Sequence, residues 1–406
     1  MRILISSIGS RGDVQPIIAL AIALRARGHD PRLCAAPNFK EWVESFGLPC
    51  VPIGPDLKQL TGGTVPKNPS RPSPEQLRQL AAHTVHSQFP VLTSAAQGCD
   101  LLIAAGALQL ATRSVAEALR IPYVFAAYCP AVLPSPSHPP AKMGAHHPQS
   151  LGSEANEALW SEEARSWNGL FRDALNEERA QLGLDPIEAV QRHIFTEHPW
   201  LAADALLGPP GANAELEITQ TGAWLLDDPR PLPDHIEEFL ARGEPPVYFG
   251  FGSMRVLQGS NRSLIESARA VGRRSIISQG WGNLAPIDDA SDCLSVDDVS
   301  HEALFARVEA IVHHGGAGTT TAAARSGKPQ VIVPHHYDQF YWAHRIQELG
   351  VGAVGPTRDE LTLSAMTRAL HEALQPDVKV RAVKLGPRIE LRGAQSAADQ
   401  LTAQFG

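Results

Sequence analysis

VEAIVHHGGAGTTTAAARSGKPQVIVPHHYDQ, residues 308–339, decides how this chain folds. Ala310-Ile-Val-His313 is an apolar run of strand length, and the Ala-rich residues after Thr319 have a helical composition. Between them lies His314-Gly-Gly-Ala-Gly-Thr319. Glycines let a backbone turn tightly and approach a ligand, so free N–H groups and the positive end of the helix dipole can face an anion. The turn therefore predicts a phosphate cradle, although a glycine-rich turn can also serve packing alone. Gly327-Lys-Pro329 ends the helix, and Gln330-Val-Ile-Val-Pro334 predicts the next buried strand. Asp338-Gln339 follows just past that strand's carboxyl end, where open parallel sheets bind their ligands. Neither the G-x-x-x-x-G-K-[ST] pattern nor a chain-opening G-x-G-x-x-G fits the turn.

The same grammar recurs outward. Pro246-Val-Tyr-Phe-Gly-Phe-Gly-Ser253 is an apolar run ending in a small-residue turn, and strands are expected at 274–278 and 293–296. At the chain's start, residues 2–6 predict a first strand and residues 14–27 a helix, with Ser7-Ile-Gly-Ser-Arg-Gly-Asp13 between them. That turn places Asp13 at the sheet's carboxyl edge, as an active-site group or simply as the helix N-cap, with Pro16 in the first turn. Apolar segments at 31–35, 39–46, 49–53, 100–104, 109–120 and 122–126 continue a βα alternation, and 155–182 is helical by pattern. Two facing Rossmann-like α/β domains with an interdomain cleft are the economical fold. Residues 1–212 form the first, 213–243 a linker region, 244–385 the second, and 386–406 a terminal helix crossing back to the first. Two interruptions stand out: 54–74, rich in Gly, Pro, Thr and Ser, and 130–148, with six prolines. Long loops at a carboxyl edge carry acceptor specificity or are plain surface connections.

The chain has 406 residues, 43% of them hydrophobic, enough for two cores. Lys and Arg minus Asp and Glu give 35 − 43 = −8 without a long basic run, which argues against nucleic acid as a partner. Five cysteines (Cys34, Cys50, Cys99, Cys129, Cys293) without C-x-x-C, and a start lacking a signal-peptide pattern, predict a reducing, cytoplasmic setting. No segment approaches the roughly 20 apolar residues of a transmembrane helix.

His314-Gly-Gly-x-Gly-Thr319, followed 338 − 314 = 24 residues later by Asp338-Gln339, resembles the donor signature of inverting nucleotide-sugar glycosyltransferases with the GT-B fold. Over its whole length the chain is similar to bacterial enzymes that glycosylate natural-product aglycones, in particular the glycopeptide-antibiotic, vancomycin-type branch. The residues carrying this are Gly9-Ser-Arg-Gly-Asp13, Cys129-Pro-x-x-x-Pro-Ser-Pro136, Thr196-Glu-His-Pro-Trp200, Thr221-Gly-Ala-Trp224, Phe249-Gly-Phe-Gly-Ser253 and 313–320. The resemblance implies a hexosyltransferase with a UDP- or TDP-sugar donor and a hydroxylated aglycone as acceptor. Asp13 would be the general base, because the N-terminal histidine of plant relatives has no counterpart here. His314, Gly316, Gly318 and Thr319 would hold the diphosphate, helped by Ser10, Gly12 and Ser253, and Asp338 and Gln339 the sugar. Plant relatives stack a tryptophan on the base 18 residues before the histidine. Here that position is Val296, so backbone groups from Val296 to Val299 are expected to read the base.

No metal or other cofactor is expected. The pairs 146–147, 313–314 and 335–336 are adjacent histidines, which on a strand point to opposite faces, and no D-x-D triplet is present. The readings left beside this one are a sterol or lipid glucosyltransferase with the same donor chemistry, a nucleotide-sugar isomerase, and a non-catalytic binder. Asp13 argues against the last.

Overall fold

In the computed structural model every described strand pairs in parallel; the structure describes residues 1–58, 72–142, 146–213, 215–254 and 259–406. The first sheet contains β1 (Arg2–Ser6), β2 (Asp30–Ala35), β3 (Cys50–Pro52), β4 (Leu101–Ala105), β5 (Tyr123–Ala127), β6 (Trp200–Leu201) and β7 (Thr219–Gln220), in the order β3-β2-β1-β4-β5-β6-β7. The second contains β8 (Val247–Gly250), β9 (Ser275–Ser278), β10 (Cys293–Val296), β11 (Ala310–His313), β12 (Gln330–Ile332) and β13 (Gly352–Val354), in the order β10-β9-β8-β11-β12-β13. In each sheet the order reverses beside the strand that opens it, β1 against β4 and β8 against β11. A crevice forms outside the carboxyl ends at such a switch point.

The strands are apolar throughout because both faces are covered. Ile3 and Ile5 pack with Ile17, Ile18, Leu20 and Leu24 of the Arg11–Arg25 helix, whereas Leu4 points the other way into a cluster with Phe89 and Leu92. Each such side chain, fully buried, stabilises the fold by roughly 1.5–3 kcal/mol. The second sheet repeats the arrangement, with Val247, Phe249 and Val312 on one face and Tyr248, Ile276 and Ile311 on the other.

One long helix escapes the sequence reading. Residues 75–99 carry no assignment there, yet Pro74–Ala95 is helical, capped reciprocally by Ser73 and Gln76 with Pro74 in its first turn. Of the interruption at 54–74, residues 59–71 lie outside the described residues. The proline segment is irregular apart from one short 3₁₀ turn, Pro130–Val132, and residues 143–145 within it are not described.

The halves meet in one continuous apolar cluster that contains Phe125, Leu207, Tyr341, Trp342 and Ile346. Arg345 adds hydrogen bonds from Nε to the Leu207 carbonyl at 2.9 Å and from Nη2 to that of Leu206 at 3.0 Å. The terminal helix Gly393–Phe405 lays Ala394, Ala397, Ala398 and Leu401 on the core that includes the Arg11–Arg25 helix. Gly393 has no room for a side chain, since a Cβ would stand 2.3 Å from the Ala223 carbonyl oxygen. Gly393→Ala is therefore expected to lower the thermal midpoint by a few degrees, the signature of a 1–3 kcal/mol overpacking cost. Gly169→Ala, on the exposed face of the Ser153–Gln181 helix with nothing within 4 Å, should leave it unchanged or raise it. Paired melting curves check both. Among the described residues no helix is long and apolar enough to cross a membrane.

Candidate active site

The carboxyl edge of the first sheet presents Asp13, and the reason is local. The helix begins at Arg11, not at Val14: Ser10 is its N-cap and Asp13 its third residue. The Ser10 N–H donates to Asp13 Oδ2 at 2.7 Å and the Ser10 hydroxyl reaches the same oxygen at 3.3 Å, while the Asp13 N–H donates to the Ser10 carbonyl at 2.9 Å, and together these start the helix early. The N-cap reading of Asp13 is corrected accordingly, and Pro16 lies inside the helix rather than in its first turn. Two glycines make space for the carboxylate. A Cβ on Gly9 would lie 2.1 Å from Oδ2, and one on Gly106 would lie 3.3 Å from Oδ1. Behind them the Ser7 and Tyr128 hydroxyls donate to the Asp13 carbonyl at 3.0 and 3.1 Å. Oδ2 is thus anchored, while no other side chain donates to Oδ1 among the described residues. Asp13 is partly exposed yet ringed by protein, and this desolvation pushes its pKa up to about 6 against the pull of the Ser10 bonds.

Facing it, the second sheet presents the glycine turn. His313 is level with Gly250 of β8 and Ile332 of β12, so three strand ends open together. Its ring is buried and engaged at both nitrogens: Nδ1 accepts the Gly315 N–H at 3.1 Å, which leaves Nε2 to donate to Gln330 Oε1 at 2.9 Å. Burial lowers its pKa to about 4. His313 therefore stays neutral and pins the turn, a role the motif alone does not reveal. The His314 ring stands nearly perpendicular to that of His313; burial, reinforced by the neighbouring histidines, holds it neutral, and its Nδ1 is a buried nitrogen without a partner among the described residues. Gly316 is the N-cap of the Ala317–Arg325 helix and, being glycine, has no side chain to cap it. The first-turn N–H groups of Ala317, Gly318 and Thr319 therefore lack intrahelical acceptors. Gly315 adopts φ +91° and packs under Ile332, a Cβ on Gly316 would strike His314 Nε2 at 2.7 Å, and one on Gly318 would meet nothing within 4 Å. Two of the glycines are demanded by the turn itself, whereas Gly318 opens space only outward.

The loop after β12 brings the third group. Asp338 Oδ2 accepts from Trp342 Nε1 at 3.1 Å. Its pKa is pushed up to about 7, by burial first and then by the negative charge of Asp13, which lies near enough to act on it. The Gln339 side chain is buried and turned inward: Oε1 accepts the N–H groups of His335 and His336 at 2.7 and 3.2 Å, and Nε2 lies 3.5 Å from Met254 Sδ. It holds the loop's shape. Just before them, Tyr337 adopts φ +59°, which for a bulky residue costs about 1–3 kcal/mol.

The remaining predicted residues fall into place around these groups. Gly12 is in the helix's first turn, near the Ser10 hydroxyl, and Ser253 follows the β8 turn, where Gly252 has φ +56°. Val296 is buried in the second core with Val299 packed against it, so only backbone there can face a ligand, and the Val296 carbonyl already accepts the Gln279 N–H at 3.0 Å. Beside them Arg11 bridges the halves, with Nη1 2.6 Å from Asp298 Oδ1, and Trp281 stacks on Phe39 at 6.1 Å. Sequence offers no signal for that bridge between residues 287 positions apart. Among the described residues no group of three His, Cys, Asp or Glu side chains is placed to hold a metal.

Comparison with known proteins gives the site a family. Residues 3–134 match the glycosyltransferase family 28 N-terminal domain, and residues 280–388 match the C-terminal domain of the erythromycin biosynthesis protein CIII-like family. Glycosyltransferase GtfE of Amycolatopsis orientalis is 41% identical over 411 residues, covering 100% of this chain and 98% of its own. The vancomycin aglycone glucosyltransferase of the same organism is 40% identical, with 98% and 96% covered. Among solved structures, the glycotransferase of kitacinnamycin superimposes with a TM-score of 0.74 at 18% identity, covering 100% of this chain and 99% of that one. With that fold, and full-length relatives at two-fifths identity, the chain belongs to the vancomycin-type glycosyltransferases of the GT-B fold.

Proposed function

We propose that this glycosyltransferase moves a hexose from a UDP- or TDP-sugar to a hydroxyl, phenolic in type, of a natural-product aglycone such as a glycopeptide, with inversion and without a metal. We place it in the cytoplasm. In this reading residues 1–212 take the acceptor and 244–385 the donor. The observation that carries it is the Asp13 carboxylate, with Oδ2 tied to Ser10 and Oδ1 bonded by no other side chain among the described residues, together with the Ala317–Arg325 helix, whose glycine N-cap leaves its first turn without a side-chain cap. The acceptor oxygen attacks the anomeric carbon, its proton passes to Asp13, and the bond to the diphosphate breaks on the opposite face. Charge developing on the diphosphate is met by the free first-turn N–H groups, the helix dipole and His314. Asp338 holds sugar hydroxyls, and Gln339 does so at most through backbone while its amide fixes the loop. Backbone at Val296 to Val299 reads the base, with Ser10, Gly12 and Ser253 lining the diphosphate.

The pH dependence follows from the carboxylate pair. Asp13 acts as a base only when ionised, so kcat/KM should fall about tenfold per pH unit below about 6 and level off above pH 7. Stability runs the other way. Both folded-state pKa values lie above the ordinary carboxylate value of 3.8, so the stability these groups contribute is complete below pH 4 and is lost as pH rises through 6 and 7. A rate profile from pH 4.5 to 8.5 tests the first expectation, and a flat profile through pH 6 removes Asp13 as the base. The acceptor class is tested by mass spectrometry with a glycopeptide aglycone and a sterol, each offered with UDP- and TDP-glucose. One hexose on the aglycone supports the proposal, and transfer to the sterol alone overturns it.

A further inference from the structure

We infer that Tyr337 determines acceptor specificity in this enzyme, its ring forming a wall against which an aromatic acceptor packs beside Asp13; the inference rests on the transfer reaction proposed above. Tyr337 holds φ +59°, in the left-handed region that glycine occupies without strain. A glycine would make the same turn, so the ring is the distinguishing feature of the position.

The loop around it cannot relax to relieve the strain. Gln339 Oε1 fixes the N–H groups of His335 and His336 on one side, and Trp342 holds Asp338 on the other. Burial first, and then the charges of Asp338, Cys129, Asp13 and Glu163, raise the pKa of the phenol, so the residue stands near groups drawn from the carboxyl edge of the first sheet, the donor loop and the Ser153–Gln181 helix. With Ala131, Pro139, Pro140 and Lys142 the residue also borders a seam cavity of about 10 Å³, room for one water, so protein backs the ring on that side. A partly exposed aromatic side chain, rigidly backed and next to the proline segment, suits another flat ring, because offset and edge-to-face ring pairs attract beyond simple burial.

The experiment compares wild type with Tyr337→Gly and Tyr337→Phe, using a phenolic glycopeptide aglycone and a sterol as acceptors, with donor binding measured separately by calorimetry. Tyr337→Gly keeps the backbone shape and removes the ring. Its acceptor KM should rise roughly 3- to 10-fold, with donor Kd within about twofold of wild type and an unchanged or higher melting temperature. Tyr337→Phe keeps the ring and should keep the acceptor KM. An unchanged acceptor KM in Tyr337→Gly, or an equal loss of donor affinity, overturns the assignment while leaving the proposed reaction intact. Transfer by the wild type to the sterol alone overturns the proposed acceptor class and this assignment with it.

Discussion

Asp13→Asn is expected to lower the rate of sugar transfer about 10²- to 10⁴-fold while leaving nucleotide-sugar affinity within about twofold of wild type. The amide is nearly the size of the carboxylate, so the pocket left by Gly9 and Gly106 still accepts it, and its oxygen can still take the Ser10 N–H. What disappears is the lone pair that receives a proton. A phenol titrates near pH 10, whereas Asp13 is pushed up only to about 6, so the carboxylate is ionised at neutral pH and loses little basicity by being partly exposed. Removing it should also abolish the acid limb of the rate profile, a change that a general loss of folding would not produce. Single-turnover kinetics with donor affinity from calorimetry separates these outcomes. A rate within tenfold of wild type places the base elsewhere.

Gly316→Ala is expected to weaken donor binding roughly 10- to 100-fold without unfolding the chain. Gly316 has φ −64°, so alanine strains nothing in the backbone; the new methyl instead meets His314 Nε2, 2.7 Å away, and displaces the ring. The loss then corresponds to one charge-assisted hydrogen bond, about 1.5–3 kcal/mol. Gly318→Ala makes the sharper companion, because its Cβ would point into open space. If the diphosphate lies over the helix start, that substitution too weakens the donor; if it does not, Gly318→Ala binds as wild type does. Isothermal titration with UDP and with TDP checks both variants and reads base preference in the same experiment.

Local sequence carried much of this architecture, and the reasons differ from element to element. The run 310–313, the glycine turn and the run 330–334 are legible because a doubly covered parallel strand is apolar at every position and its turn needs glycine. The register that brings His313 level with Gly250 and Ile332 follows from the fold once both strands are recognised. The start of the first helix is less legible, because a Ser-x-x-Asp cap is weaker as a signal than the apolar spacing after Val14. Pro74–Ala95 is hard to read from sequence although Ser73-Pro-Glu-Gln76 carries both a cap and an N-terminal proline, because its long polar face dilutes the apolar period. His313, Arg11 and Tyr337 were illegible in their roles for another reason. Each acts through partners fixed by tertiary structure: Gln330 at 17 positions, Asp298 at 287, and a backbone angle that no residue type announces.

The same distinction applies inside the donor loop. Asp338 and Gln339 are adjacent in sequence and resemble one motif, yet the structure leaves Asp338 partly exposed, held by Trp342, and turns Gln339 into the protein. Gln339→Leu should accordingly disturb the shape of 335–338 before it removes any sugar contact.

The most direct test of the central claim is the anomeric configuration of the product. The purified chain is incubated with α-linked UDP-glucose or TDP-glucose and a phenolic glycopeptide aglycone, and the coupling constant of the transferred sugar's anomeric proton is measured by NMR. A single attack assisted by Asp13, opposite a diphosphate held on the glycine turn, predicts a β-glycoside. An α-glycoside would mean retention and would contradict the assignment of one carboxylate base to this site.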